Sequence, residues 1–555
     1  MERISSVTNI AHSFALRARY ALALMIALGT TGFVAPAAAA DKPNILVIFG
    51  DDIGMWNVGA YTHGMMGHTP NIDRIAKEGM LFTDHYAQPS CTAGRAAFIT
   101  GQYPIRTGMT TIGIPGSDLG LQKEDPTLAE VLKPLGYTAG QFGKNHLGDR
   151  NEFLPTVHGF DEFFGNLYHL NAEEEPEQLD YPGLKDPAFM EKFGPRGILY
   201  CWATDKDDPT EDPKFGRMGK QRCEDKGPLT RKRMETVDNE FLEAAENFID
   251  RSVEEEKPFF VWFNATRMHI WTHVPKEYAQ KAVDEGRPEI DLYRAGMIQH
   301  DDQVGQLLKK LDDLGIADNT IVVYSTDNGY ELMLWPDGGY SPFRGEKGTT
   351  WEGGVRVPIM VRWPGKIPAG SSSNGIQSHE DLYVTLAAAA GETNIKQELL
   401  DGKKLGDMEY KVHLDGHNNL DLWTGKTDKS ARNEFFYYDE SDLTGLRVGD
   451  WKMSFAVKME GSWWNPLVYP RVPYLFNLRM DPMEIMDQES HEFGYIGRKL
   501  FAQKMWTLIP AQGILGQHIE SLKQWPPRQR AESLSLEKKM DTLMQSLSTD
   551  SAGMQ

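Results

Sequence analysis

"NILVIFGDDIG" (residues 44–54) decides the fold. Ile45 to Phe49 form an unbroken apolar run, whereas a strand with one solvated face would alternate. Such a run is what a strand covered on both sides needs, as at the centre of a parallel sheet. Two carboxylates, Asp51 and Asp52, follow at once, where open α/β sheets keep their ligand crevice. A turn or helix start also uses Asp in this way. Adjacent carboxylates in one crevice repel, however, and ask for a proton or a cation between them.

Working outward, "KPFFVWFNA" (257–265), "DNTIVVYST" (318–326) and "RVPIMVRWPG" (356–365) read as further strands. Helical patterns lie between them. "HTPNIDRIAKEG" (68–79) has Thr69 as N-cap, Pro70 at the first helical position and Gly79 as a stop, with Ile72, Ile75 and Ala76 on one face. Val304, Leu307, Leu308, Leu311 and Leu314 form an apolar stripe ending at Gly315. "SHEDLYVTLAAAAG" (378–391) reads as a helix. The alternation predicts an α/β fold with a large, mostly parallel mixed sheet flanked by helices.

Composition turns charged and Gly-rich near residues 395–430. Beyond it, "EFFYYD", "LRVGDWKMSFAV" and "PYLFNL" predict a smaller α+β subdomain with an antiparallel sheet. Leu536, Met540, Leu543 and Leu547 predict an amphipathic tail helix packed on the body. The expected division is 1–40, 41–430 and 431–555. Residues 171–230 are polar and Pro-rich and read as an irregular insertion.

The first 40 residues carry Arg3, Arg17 and Arg19, then "YALALMIALGTTGFV" and "APAAAA", the pattern of a secretory signal peptide. The expectation is an exported protein, periplasmic or secreted, with no membrane partner after leader removal. With 555 residues, 40% hydrophobic and 25% charged, the chain has material for a large core. Its formal net charge of −21 argues against nucleic acid or an anionic membrane as partner. An anionic substrate then needs a local positive site.

Three cysteines in an exported chain leave an odd thiol. Cys201 and Cys223 are close enough in sequence to pair. Cys91 remains, as a small buried apolar residue or as a functional one. It opens "CTAGRAAFITG" (91–101), a helix start with Arg95 four residues on, where a thiolate would be favoured.

Other polar residues also fall just beyond strands. Lys144 and His146 follow "YTAGQFG", His269 follows "FFVWFNA", and Asp327 and Asn328 follow "TIVVYS". Two Asp plus Asp-Asn offer oxygen ligands that suit Ca²⁺ or Mg²⁺ better than zinc. Lys144 and Lys347 lie in Gly-flanked loops and, with Arg95, make a cationic cluster fit for a tetrahedral oxyanion. A lone Lys or His is ordinarily a surface residue. The convergence at strand ends gives these weight.

Together these motifs resemble the type I sulfatases of the alkaline phosphatase superfamily. "CTAGR" resembles the family signature C-x-[P/A]-x-R. The resemblance runs over nearly all of 43–455 and includes "PNILVIFGDDIG", "LGYTAGQFGKNHLG", "STDNG", "GEKGTTWEGGVRVP" and "LRVGDWK". It implies hydrolysis of sulfate monoesters, arylsulfatase-like, on a small-molecule or saccharide ester. It implies that a formylglycine-generating enzyme oxidises Cys91 to formylglycine, whose hydrated gem-diol is the nucleophile. One Ca²⁺ would be held by Asp51, Asp52, Asp327, Asn328 and the modified Cys91. Arg95 would orient that side chain, and Lys144 and Lys347 would hold sulfate oxygens. His269 would be the leaving-group acid, assisted by Lys347, and His146 would help the second diol oxygen expel sulfate and regenerate the aldehyde. Ala93 stands where many members have Pro. The same machinery would also serve a formylglycine-dependent phosphonate or phosphate ester hydrolase, and an unmodified chain would be a non-catalytic binding protein.

Overall fold

The computed structural model describes residues 42–332, 338–536 and 538–540. The expected leader at 1–40 and the tail positions Leu543 and Leu547 lie outside the described residues. Ten strands build the main sheet: β1 (Asn44–Gly50), β2 (Met80–Phe82), β3 (Thr138–Gly143), β4 (Glu162–Gly165), β5 (Leu199–Asp212), β6 (Gly216–Asp225), β7 (Phe259–Asn264), β8 (Thr320–Thr326), β9 (Ile359–Arg362) and β10 (Ser371–Ser373). Their order is β10-β2-β9-β8-β1-β7-β3-β4-β5-β6. The central run from β8 to β4 is parallel. β9 pairs antiparallel with β8 and β2, and β5 and β6 extend the opposite edge antiparallel.

The unbroken apolar run of β1 has the expected cause. Ile45, Val47 and Phe49 belong to one core layer, and Leu46 and Ile48 to the layer on the other face. The principal helices are α1 (Pro70–Lys77), α2 (Cys91–Thr100), α3 (Val237–Glu254), α4 (Leu292–Asp313), α5 (His379–Ala389) and α6 (Leu508–Gln524). α2 and α5 supply Phe98 and Leu382 to the first layer; α1, α3 and α4 supply Ile72, Phe241 and Leu307 to the second. The stripe from Val304 marks only the end of α4, whose first turns bury Tyr293, Arg294, Gln299 and His300 beside apolar residues. Thr69 holds the N-cap position of α1 without capping it. Its hydroxyl accepts from Gly59 N at 2.8 Å and donates to Asp73 at 2.8 Å.

The 171–230 stretch is not irregular throughout. Residues 199–225 form the long β5-β6 hairpin, in which Cys201 faces Cys223 and the two are disulfide-bonded. Its outer half is exposed and dense in Asp, Glu, Lys and Arg, so the apolar alternation that announces a strand is missing. Charges of this kind suit the edge of a sheet.

The aromatic C-terminal runs form a four-stranded antiparallel sheet, β11 (Glu434–Asp439), β12 (Asp442–Val448), β13 (Trp451–Ser454) and β14 (Tyr474–Asn477). Phe435, Tyr437, Leu446 and Leu475 from it share a core cluster with Tyr86, Tyr103 and Val355. Leu536 and Met540 are helical but 75% and 49% exposed, so they form no packed apolar face. Among the described residues, no helix is long and apolar enough to cross a membrane.

Candidate active site

Four adjacent parallel strands deliver most of the site. Asp51 and Asp52 follow β1, Lys144 and His146 follow β3, His269 follows β7, and Asp327 and Asn328 follow β8. α2 adds Cys91 and Arg95, and the loop before β9 adds Lys347. All ten residues are buried. α2 can approach the turn after β8 because its fourth residue is glycine: a Cβ on Gly94 would sit 1.7 Å from Asp327 O. Asp52 (φ 58°) and His146 (φ 59°) have left-handed backbone, which costs non-glycine residues energy and recurs at sites where geometry is imposed.

The contacts divide into two linked halves. Around Cys91, the thiol donates to Asp51 Oδ1 at 3.8 Å, and Lys144 Nζ donates to Asp51 Oδ2 at 2.5 Å. Arg95 does not turn to the thiol. It donates to Asp327 Oδ2 through Nε at 3.0 Å and to Lys144 O through Nη1 at 3.0 Å, and its Nη2 lies 2.8 Å from Asp327 Oδ2 as an ion pair. Around Lys347, Nζ donates to Asp52 Oδ2 at 2.7 Å and lies 3.0 Å from His269 Nε2 and 3.3 Å from Glu331 Oε2. Asn328 Nδ2 donates to Asp52 Oδ1 at 2.6 Å.

The histidines have defined tautomers. His269 Nδ1 is 2.6 Å from Ile270 O, an acceptor, so Nδ1 carries the proton and Nε2 receives one from Lys347. His146 Nε2 is 2.9 Å from Gly113 O, which leaves Nδ1 as a buried lone pair without a hydrogen-bond partner. Burial, aided by Lys347 and Lys144, holds His269 well below the ordinary histidine range. Burial and Lys144 do the same to His146. Lys347 remains charged. Burial works to lower its pKa, but Asp52 and the other acidic neighbours raise it well above the ordinary lysine value.

Burial pushes the Cys91 thiol far up, past what Lys144 and Lys347 recover. The helix-start thiolate that the sequence allows is therefore not what this site stabilises. The oxygen donors fit a hard cation; the sulfur and the His269 nitrogen beside them do not. Ligand atoms of Asp51, Asp52, Cys91 and His269 lie within 4.8 Å of one another, and Asn328 Oδ1 is buried without a partner. An oxygen in place of Sγ would complete a set of carboxylate, amide and hydroxyl donors of the kind Ca²⁺ takes. Asp327 stands slightly apart, with Oδ2 given to Arg95 and Oδ1 accepting from Asp52 N at 3.3 Å.

Sequence reasoning missed three residues. The His169 ring stacks on His269 (5.2 Å, 10°) and meets His146 edge-on (5.5 Å). Glu331 touches Lys347, and burial pushes its carboxyl up. Trp463, from the C-terminal part, lies over Lys347 Nζ at 5.5 Å. None belongs to a motif. Only Glu331, three residues past Asn328, had a positional signal.

The family model described as Sulfatase matches residues 43–392. N-acetylgalactosamine-6-sulfatase of Homo sapiens is 32% identical over 442 residues, covering 77% of this chain and 74% of that protein. Arylsulfatase A of Bos taurus is 32% identical over 512 residues, covering 87% and 90%. Among solved structures, the PsFucS1 sulfatase from Pseudoalteromonas sp. has a TM-score of 0.73 at 28% identity, covering 88% of this chain and 92% of that one. With the site and the fold in agreement, the chain belongs to the sulfatase family, the type I sulfatases of the alkaline phosphatase superfamily, and is a sulfuric ester hydrolase.

Proposed function

We propose that the chain hydrolyses sulfate monoesters of saccharides, after oxidation of Cys91 to formylglycine and with one Ca²⁺ held by Asp51, Asp52, Asp327 and Asn328. The observation that carries the reading is the seat of Cys91. A fully buried, protonated, soft thiol stands among carboxylate and amide oxygens and beside two lysines. It is a poor nucleophile and a poor ligand there, while an aldehyde hydrate would be a good one of each. The modified residue supplies the attacking oxygen, and the cation supplies Lewis acidity toward it and the sulfate.

The chain's own residues then have definite tasks. Lys144 and Lys347 flank the position where sulfate oxygens gain charge. Arg95, fixed by Asp327 and Lys144 O, anchors α2 so that residue 91 faces Asp51. Lys347 Nζ, 3.0 Å from the Nε2 lone pair of His269, holds the proton that this pair is placed to deliver to the departing oxygen, with His269 as its relay. His146 Nδ1 is a free base within the same ring cluster, suited to take the proton that releases sulfate.

Two observations favour saccharides: human N-acetylgalactosamine-6-sulfatase is a relative, and Ps i-CgsB, solved with k-i-k-neocarrahexaose, shares the fold at a TM-score of 0.66 and 25% identity. Export is part of the proposal, and the Cys201–Cys223 disulfide, a bond of oxidising compartments, supports it.

The test pairs two measurements on one sample of protein from its native host. Mass spectrometry of the tryptic peptide spanning 78–95 should find the aldehyde at position 91, and the protein should release sulfate from sulfated hexosamines. An intact thiol in active protein would sink the formylglycine reading. Turnover of aryl sulfates with none of any saccharide sulfate would sink the substrate reading.

A further inference from the structure

The hairpin loop at residues 459–466 reaches from the C-terminal part of the chain onto the segment that carries Lys347. It lies between two short paired strands, Val457–Lys458 and Leu467–Val468. Its base is fastened to that segment three times. Lys458 Nζ donates to Gly348 O at 2.7 Å, Trp351 Nε1 to Lys458 O at 2.7 Å, and Arg344 Nη2 to Met459 O at 2.8 Å. Within the loop, Ser462 N donates to Asn465 Oδ1 at 3.0 Å, and Asn465 Nδ2 to Glu460 Oε2 at 3.1 Å.

The outcome is the placement of Trp463. Its ring lies directly on Gly348, where a Cβ would come within 2.6 Å of Trp463 Cγ, and 5.5 Å from Lys347 Nζ. The residue is only partly buried, and Trp464 beside it is 76% exposed, so the loop runs from the surface to Lys347.

On the proposed mechanism, Lys347 and His269 set where the leaving oxygen sits, because that pair protonates it. An oxygen at hydrogen-bond distance, about 3 Å, from Lys347 Nζ has its carbon skeleton within reach of an indole 5.5 Å from that nitrogen. An indole face offers a flat, apolar, electron-rich surface to polarised C–H groups or to a ring. It offers nothing to the sulfate, which belongs among the lysines.

We propose that Trp463 is a specificity-determining residue of this sulfatase, whose indole face stacks on the sugar ring that carries the departing oxygen. The inference rests on the saccharide reading above and adds the group that recognises the saccharide rather than the sulfate.

The test uses the matured full-length enzyme, its Trp463→Ala and Trp463→Phe variants, N-acetylgalactosamine 6-sulfate as substrate and inorganic sulfate as competitive inhibitor. W463A should raise KM roughly tenfold, the loss of one aromatic contact, with a smaller change in kcat. W463F should keep most of the wild-type KM. The inhibition constant for inorganic sulfate should stay near wild type in both, since sulfate touches only the inner residues.

An unchanged KM in W463A would overturn the proposal. So would a rise in KM matched by an equal rise in the sulfate inhibition constant, because Trp463 would then act only by propping Lys347. Wild-type enzyme that bears the aldehyde but releases no sulfate from the sugar would remove the saccharide reading and this one with it. Wild-type activity with an indifferent W463A would remove this one alone.

Discussion

At the scale of single residues, the polar site was legible because seven of its ten members follow a strand and the other three stand in sequence motifs, but its wiring was not. The sequence paired Arg95 with Cys91 across one helical turn, whereas burial makes the guanidinium seek a carboxylate, and Asp327 supplies it. His169 was invisible for a similar reason. A lone histidine in a polar stretch carries no spacing, and its stacking on His269 exists only in three dimensions. On the proposed mechanism the central contact is Lys347 Nζ to His269 Nε2, at 3.0 Å. If the two act as one proton path, Lys347→Ala and His269→Ala should each lower kcat by about 10²–10⁴-fold, and the double variant should lose little more than the worse single one. Fully multiplicative losses in a kinetic double-mutant cycle would show two independent roles. Cys91→Ala should abolish turnover while costing only about 1–2 kcal/mol of stability, seen as a melting temperature within several degrees of wild type.

At the scale of elements, strands buried on both faces were readable and strands exposed on both faces were not. β1, β7 and β8 announce themselves by unbroken apolar runs. β5 and β6 are held by pairing with β4 and by the Cys201–Cys223 bond, and their outer charges obscure them. Ion pairs between elements leave no local pattern either. Asp415 accepts from Arg106 Nε at 2.7 Å, Arg106 Nη2 at 2.9 Å and Tyr103 N at 2.8 Å, while Arg106 Nη2 also reaches Ser521 Oγ on α6 at 2.8 Å. This buried pair ties the segment after α2 to the C-terminal helix. Burial alone would raise the Asp415 pKa, but Arg106 holds it well below the ordinary carboxylate range. A carboxyl depressed in the folded state stabilises the fold above its unfolded pKa, and that stability is lost as pH falls through the folded pKa. Asp415→Asn should therefore cost about 3–5 kcal/mol near neutral pH by leaving Arg106 unpaired. Thermal melts should show that gap steady from pH 7 to about 5 and narrowing only below about 4, where the carboxyl of the unfolded chain begins to protonate while the folded one does not. A gap that narrows already at pH 6 would assign the effect to another group.

At the scale of the whole molecule, the fold followed from the order of strands and helices, since a doubly covered parallel sheet puts its strand ends, and so its site, at one edge. Charge was the part that composition stated incompletely. Arg95, Lys144 and Lys347 read as a cationic cluster inside a chain of formal charge −21. In the structure each cation meets a carboxylate, of Asp327, Asp51 and Asp52 respectively, so the three formal positive charges are balanced by three negative ones. Glu331 adds acidity in so far as it ionises, and burial opposes that. A balanced pocket in an acidic protein has no net attraction for a sulfate, whatever donors it presents. A divalent cation among Asp51, Asp52 and Asn328 would change the sign of the pocket and free lysine donors for the anion. On the proposed mechanism, the ion that the donor set fits would serve binding as well as chemistry. Chelation should accordingly weaken inorganic sulfate binding, measured by calorimetry on protein treated with EGTA, by about tenfold or more. Added Ca²⁺ should restore it, and Asp52→Asn should blunt the restoration. Sulfate affinity unchanged by chelation would mean that the lysines alone hold the anion and that the charge balance across these three pairs does not govern binding.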